Sequence, residues 1–375
     1  MSKPIVLWTN IPSFHLIGPF LKLSESRRTI CVCREATSIL RADMWRTPDL
    51  GNLEIFYLSK QNNVDFFVDN FLKETKDAIH FISGFGNQPG TKTFWRLAPK
   101  FNIKPIAIAE RPNPQRNPVK AFLRDAYYYT KMRAISRRIS AVLCMGSLSV
   151  EAYRKYGFPP RKLLHCMYTS AFPFPELPSE VSVGAPLRFV YVGRDDIWIK
   201  GLDLLVDALR GFTPDQLTFD FIGPDPDSWI NQFACDNNLS GVIRLQGKIP
   251  NDKITQKLAN DFDVLVLPSR YDGWGMTVSE ALFSGIGVLT SDACGSHDVV
   301  SASGAGKVIP RGSVDAIKAA LLDLVNTPTK VHEWKVCARA YREQLRSEKL
   351  AAYLEEVVSY VERDCTGEKP IPYWL

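Results

Sequence analysis

Short apolar runs alternate with helix-patterned segments along most of this chain, and the alternation starts twice. The first set has apolar runs at residues 5–8, 30–33, 54–58, 78–82, 106–109 and 141–144, with helical spacing at 18–23, 64–76 and 147–156. The second has runs at 188–192, 218–222, 242–245, 264–267 and 287–290, with helical stretches at 202–209, 229–237 and 254–260. A run apolar at nearly every position has no face for water, so it belongs in a sheet covered on both sides. Strands alternating with helices give parallel sheets. The expected fold class is therefore α/β with two such sheets. Ligands in this architecture bind beyond the carboxyl ends of the strands, so the loops after the apolar runs carry the search for function.

Pro173, Pro175, Pro178 and Pro186, with Ser179, Ser182 and Gly184, crowd the stretch between the two sets. This density predicts a linker over 171–186, between a first domain at 1–170 and a second at 187–347. Beyond it, Leu350, Tyr353, Leu354, Val357, Val358 and Val361 keep helical spacing, so 348–375 reads as an amphipathic helix and tail. The 375 residues suffice for two domains. No stretch offers the roughly 18 uninterrupted apolar residues of a membrane span. The run at 5–8 is too short for a signal peptide. The eight scattered cysteines lack metal-ligand spacing. These features predict a cytoplasmic protein with reduced thiols.

Charge divides unevenly. Residues 1–185 hold 26 Lys+Arg against 14 Asp+Glu, and residues 186–375 hold 20 against 26. A basic first half predicts an anionic partner there. In the helix-patterned stretch 118–138, Lys120, Arg124, Lys131 and Arg138 fall within about 40° on a helical wheel. Val119, Phe122, Leu123, Ala126 and Ala134 lie mainly on another side. One reading sets the stripe against anionic lipid headgroups at the inner face of the plasma membrane. The other is a helix docked by its apolar side, with a solvated basic face. Nucleic acid is not among the expected partners.

Two loops of the second half carry chemistry. Residues 269–282, SRYDGWGMTVSEAL, follow the run at 264–267 and open a helical segment near Thr277. Gly273 and Gly275 flank Trp274 and allow backbone to approach a ligand. Free N–H groups at a helix start favour an anion. Asp272 and Glu280 bracket the loop. The alternative is structural: Thr277 and Glu280 have capping-box spacing, and Asp272-Gly273 is an ordinary turn pair. Residues 193–201, GRDDIWIKG, also join a strand to a helix, and hold Arg194 and Lys200. Fixed cations there would stabilise the negative charge that grows on a departing diphosphate.

Together these stretches resemble the signature of the family-4 retaining glycosyltransferases (glycosyl transferases group 1). That family has an acidic residue, seven residues, then Glu around a Gly-aromatic-Gly turn. Here Asp272 and Glu280 hold those places, whereas the family more often has Glu at the first. The resemblance implies a GT-B fold: two Rossmann-like domains with parallel sheets facing a central cleft, and a last helix that crosses back to the first domain. It implies metal-independent, retaining hexosyl transfer from a nucleotide-diphosphate sugar to a saccharide or lipid-linked saccharide, in surface polysaccharide assembly, with no cofactor. Arg194 and Lys200 would hold the diphosphate, Glu280 the ribose, and Asp272 the sugar. Gly193, Ile249, Gly273, Trp274, Gly275, Met276 and Thr277 would complete the donor site. On the acceptor side the resemblance points to His15 and to Glu110, which stands where the family often has His.

Asp225-Pro226-Asp227 mimics a metal-binding Asp-x-Asp pair but reads as a turn, and His297 reads as a structural or rim residue. Two other classes remain open: a nucleotide-sugar epimerase of the same fold, and a non-catalytic nucleotide-sugar binding protein.

Overall fold

The computed structural model describes residues 2–36, 46–85 and 89–375. They divide between two compact units. One is built on Thr47–Phe172, the stretch before it, and Arg346–Tyr373; the other is built on Pro173–Leu345.

The first unit holds seven parallel strands: β1 (Ile5–Thr9), β2 (Thr29–Cys33), β3 (Glu54–Tyr57), β4 (Ile79–Ser83), β5 (Ile106–Ala109), β6 (Ala141–Met145) and β7 (Leu163–Cys166). Their order in the sheet is β3-β2-β1-β4-β5-β6-β7. β1, β2, β5 and β6 are buried at every position, as their unbroken apolar character requires. Trp8, Phe71, Phe94, Val142 and Tyr153 belong to the core on one side of this sheet. The run at 163–166 went unnoticed in the sequence because its two aliphatic residues precede His165. Of the glycine-rich stretch 84–90, residues 86–88 lie outside the described ones. Pro89 already opens a helix, Pro89–Leu97, consistent with the preference of proline for a helix start.

The helix Ser347–Glu362 packs in this unit, against Phe14–Ser24. Its start is fixed by Ser347 Oγ, 2.9 Å from both Thr169 Oγ1 and the Ser170 carbonyl. Arg27 pairs with Glu355 at 2.6 Å, and the Tyr353 hydroxyl donates to the His165 carbonyl at 2.8 Å. Of the apolar positions named from spacing, Leu350, Tyr353, Leu354, Val357 and Val358 are buried.

The second unit holds β8 (Leu187–Val192), β9 (Leu217–Ile222), β10 (Ile243–Gly247), β11 (Val264–Leu267), β12 (Gly287–Ser291) and β13 (Gly306–Ile309), all parallel, in the order β10-β9-β8-β11-β12-β13. Strand order reverses between β8 and β11, which are neighbours in space but 75 residues apart in sequence at their paired positions. Asp263, fully buried just before β11, fastens the amino ends of this pair. It accepts from the Arg188 backbone N at 3.0 Å and from its guanidinium at 3.1 Å, and pairs with Lys335 at 2.9 Å. These cations hold its carboxyl below the ordinary range against the opposing effect of burial.

The proline-rich stretch expected to be a linker lies on the second unit instead. Phe174 stacks on Phe283 at 4.9 Å, Arg342 donates to the Pro175 carbonyl, and Arg339 donates to the carbonyls of Pro178 and Glu180. Proline denies the segment sheet pairing, but its carbonyls remain good acceptors for guanidinium groups.

Candidate donor site and comparisons with known proteins

Both chemistry-bearing loops leave the sheet at its switch point: residues 193–201 follow β8, and residues 269–275 follow β11. The strand order therefore brings together two segments that the sequence keeps far apart. Direct bonds tie them. The backbone N–H of Arg270 donates to the Ile199 carbonyl at 2.8 Å, and the Arg270 guanidinium makes two 2.7 Å bonds to Asp203. Gly201, at φ +68°, turns the short helix Ile197–Lys200 into Leu202–Ala208. A Cβ at this glycine would lie 2.5 Å from the Pro268 carbonyl oxygen, so a side chain there would force the loops apart.

Lys200 Nζ lies 2.6 Å from Asp272 Oδ2, with both side chains mostly shielded. The sequence reading gave the two residues separate tasks; the structure pairs them. Asp272 is also held by its backbone N–H on the Ala293 carbonyl at 3.1 Å. The Arg194 side chain is exposed, and among the described residues nothing pairs with it. Its carbonyl accepts from the Tyr191 hydroxyl at 2.8 Å. That hydroxyl titrates well above its usual range, through burial first and the nearby Asp272 second.

The helix after the second loop runs Met276–Phe283, starting a residue earlier than expected, with Gly275 as its N-cap. Gly275 sits at φ +85° with Cys294 Sγ pressed against the place of its missing Cβ. Thr277 is thus inside the helix, and the capping box does not form. Among the described residues no side chain caps this helix start, so its first N–H groups stay available. Glu280 lies a turn further on, only 5% exposed, its carboxylate without a partner among the described residues. Burial alone pushes its carboxyl up to about 7.

Trp274, expected among the donor-binding residues, turns its side chain into the core, 2% exposed, with Nε1 on Ser279 Oγ at 3.1 Å. Its ring packs the loop from beneath, as does that of the buried Tyr271. Ile249 is half-buried after β10, and Gly193, Gly273, Met276 and Thr277 line the two loops. Asp225 pairs with Lys248 at 3.4 Å and its carbonyl accepts from the Ser228 N–H, the expected turn. His297 bonds the Cys294 carbonyl through Nδ1 at 2.8 Å and meets Asp298 at 3.1 Å. Cys294, missed in the sequence, is buried behind the glycine loop, its thiol pushed up to about 11 by burial and by Asp272.

In the first unit, Glu110 follows β5 and His15 lies in the helix after β1. Tyr168, just beyond the unnoticed β7, joins them. Its hydroxyl bonds the Glu110 carboxylate, and its ring lies 6.3 Å from that of His15. The Tyr153 hydroxyl holds the Glu110 carbonyl at 2.7 Å.

The helix Pro118–Ser136 corrects the stripe read from its wheel. Met132 and Ser136 are buried, and Tyr128 and Ile135 pack on the core. Arg124 and Lys131 are half-buried rather than fully solvated: Arg124 pairs with Asp125 at 2.7 Å, and Lys131 lies over the ring of the exposed Tyr127 at 5.5 Å. Lys120 and Arg138 remain exposed. Val119, Phe122 and Leu123, expected as the docked side, face outward.

The two doubly wound units define a GT-B fold. A structure of Anabaena Alr3699/HepE in complex with UDP and glucose matches 96% of this chain and all of its own at TM-score 0.70, with 15% identity. That of WaaG, a glycosyltransferase involved in lipopolysaccharide biosynthesis, matches with the same coverage and identity at TM-score 0.59. At such identities the likeness is one of fold. In sequence, residues 177–341, nearly all of the second unit, match the family described as glycosyl transferases group 1. The amylovoran biosynthesis glycosyltransferase AmsK of Erwinia amylovora is 26% identical over 186 residues, 46% of this chain. The chain spans less than half the length of the curated relatives it matches, 45% of AmsK and 40% of a Klebsiella pneumoniae protein from a cps region.

Proposed function

We propose that this protein is a retaining glycosyltransferase. It moves a hexosyl group from a nucleotide-diphosphate sugar to a saccharide or lipid-linked saccharide acceptor in surface polysaccharide assembly. The observation that carries this reading is a buried carboxylate without a partner among the described residues, Glu280, one turn behind an uncapped helix start, on the helix that follows the loop whose Asp272 pairs with Lys200. A structural carboxylate in such a place would be paired; one awaiting ribose hydroxyls is not. The match to glycosyl transferases group 1 and the names of the relatives support the same reading.

In this mechanism the diphosphate displaces Asp272 from Lys200 and settles against Lys200, Arg194 and the N–H groups of Met276 and Thr277. Asp272, released, accepts from the sugar hydroxyls. As the glycosidic C–O bond breaks, charge grows on the phosphate oxygen, and the fixed cations stabilise that state most. The same oxygen takes the proton of the attacking acceptor hydroxyl on the same face, so configuration is kept and no protein nucleophile is required. No metal is needed where two side-chain cations already oppose the diphosphate. His15 and Glu110, joined by Tyr168, serve the acceptor.

The test is a thermal-shift screen of nucleotide-sugars, followed by product analysis with the donor that stabilises the protein. Ligand that binds only the folded state raises the melting temperature. The expected product keeps the donor's anomeric configuration by NMR and forms in the presence of a chelator. An inverted product would overturn the retaining mechanism, and chelator sensitivity reversed by a divalent cation would overturn its metal independence. Stabilisation with epimerised monosaccharide, or with no turnover on any acceptor, would favour the two other classes.

A further inference from the structure

We propose that the outward face of the helix Pro118–Ser136 docks on an anionic lipid bilayer by inserting an apolar ridge. This inference extends the lipid-linked acceptor reading but rests on different residues. Of the eleven large apolar side chains exposed among the described residues, five cluster here: Val119 at 64%, Phe122 at 73%, Leu123 at 60%, Tyr127 at 56% and Tyr129 at 44%. The first four fall on one side of the helix, opposite the Tyr128, Met132 and Ile135 side that packs inward. A cluster of this kind on a soluble surface marks a contact.

Charge selects the occupant. Residues 111–138 hold eight Arg and Lys against a single acid, Asp125. That acid is turned inward and held by Arg124, Lys155 and the Tyr156 hydroxyl, so it places no negative charge on the ridge. Lys120, Arg133, Arg137 and Arg138 are exposed around the apolar residues. Aliphatic and phenyl groups at the centre, tyrosines at the flank and cations around them match a bilayer interface, with acyl chains beneath and phosphates above. The ridge itself offers a protein partner little to hydrogen-bond, the Tyr127 and Thr130 hydroxyls among the described residues, whereas the cations around it suit phosphates. The contact differs from a purely electrostatic stripe: attraction to headgroups fades as salt screens it, whereas insertion of Phe122 and Leu123 does not.

The experiment is co-sedimentation of the full chain with phosphatidylcholine vesicles, with and without phosphatidylglycerol, at 0.1 and 1 M NaCl. Two variants are compared: Phe122→Ser with Leu123→Ser, and Lys120→Ser with Arg133→Ser and Arg137→Ser. Wild type is expected to pellet with anionic vesicles and to keep a measurable fraction at 1 M NaCl. The apolar variant should lose the salt-resistant fraction and bind at least tenfold more weakly. The cation variant should lose the preference for phosphatidylglycerol. Circular dichroism and stabilisation by UDP, read at the other unit, check that each variant is folded; they also separate failure of docking from failure of the donor reading. Equal pelleting of wild type and apolar variant, or none by either, overturns the proposal. So does a dimer of the wild type in sedimentation velocity that the apolar variant abolishes, because a second copy would then cover the ridge.

Discussion

Replacing Glu280 by Gln should make the free protein more stable and a poorer nucleotide binder. Burial moves this carboxyl from an ordinary 4.5 to about 7, with no partner to offset it. At 1.36 kcal/mol for each tenfold change in the proton equilibrium, ionising Glu280 in the folded state costs at most about 3 kcal/mol. The sign follows from the raised folded-state value. The fold binds the proton more tightly than the unfolded chain does, so this contribution favours folding below about pH 4.5 and is lost as pH rises through 7. Glutamine has the same shape and no charge to desolvate. At pH 8 the variant should therefore melt higher by roughly 6–12 °C, taking 2–4 °C per kcal/mol for a unit of this size. At pH 5 the two proteins should melt nearly together. Isothermal titration with the nucleoside diphosphate of whichever nucleotide-sugar stabilises the protein supplies the second half. Wild-type affinity should be about tenfold weaker at pH 6 than at pH 8, as protonation removes the acceptor for ribose hydroxyls, and the variant should be weak at both. A variant that melts lower at pH 8 would refute the desolvation argument. One that melts higher but binds that nucleotide as wild type does would refute the ribose assignment.

Lys200→Ala and Arg194→Ala should each slow transfer by a few hundredfold, about 3 kcal/mol of transition-state stabilisation, measured as kcat on folded protein. In Lys200→Ala the loss of the ion pair leaves Asp272 partly buried and alone, so adding Asp272→Asn should recover melting temperature without recovering rate. Asp263→Asn should cost about 3–5 kcal/mol in denaturant melts, because Arg188 and Lys335 then lose their shared counter-ion. Wild-type stability from this group should fall only in acid, below the ordinary carboxylate range, since its folded value is depressed. Gly275→Ala should destabilise by more than 1 kcal/mol and impair nucleotide binding together, through its positive φ and its contact with Cys294.

The sheets were legible because burial on both faces writes itself as unbroken apolar runs: 106–109 and 264–267 coincide with β5 and β11. β7 was not, since His165 breaks its run. The donor loops were legible as motifs, yet their meeting was not. Lys200 and Asp272 approach because β8 and β11 are neighbours, and no local pattern records a pairing across 72 residues. The Pro118–Ser136 helix shows the opposite limit. Its wheel separates the faces, but apolar residues stand on both sides, and only tertiary packing decides which is covered. Glu280 had two readings in sequence; a helix that starts at Met276, with Gly275 rather than Thr277 as its N-cap, removed the capping one.

Asp263 and Arg188 lie at the end of the second sheet away from the donor loops, and their bonds act as a datum for two rulers. The Arg188 N–H and guanidinium meet the Asp263 carboxylate, while the Asp263 N–H returns to the Arg188 carbonyl at 2.8 Å. β8 and β11 are thus aligned from a common zero, and both run about 15 Å before reaching their loops, at the usual rise per residue. Any slip at the zero is carried undiminished to Lys200 and Asp272. A survey of inactivating substitutions should therefore find two clusters, one at the loops and one at the far end of the sheet, where no substrate ever comes.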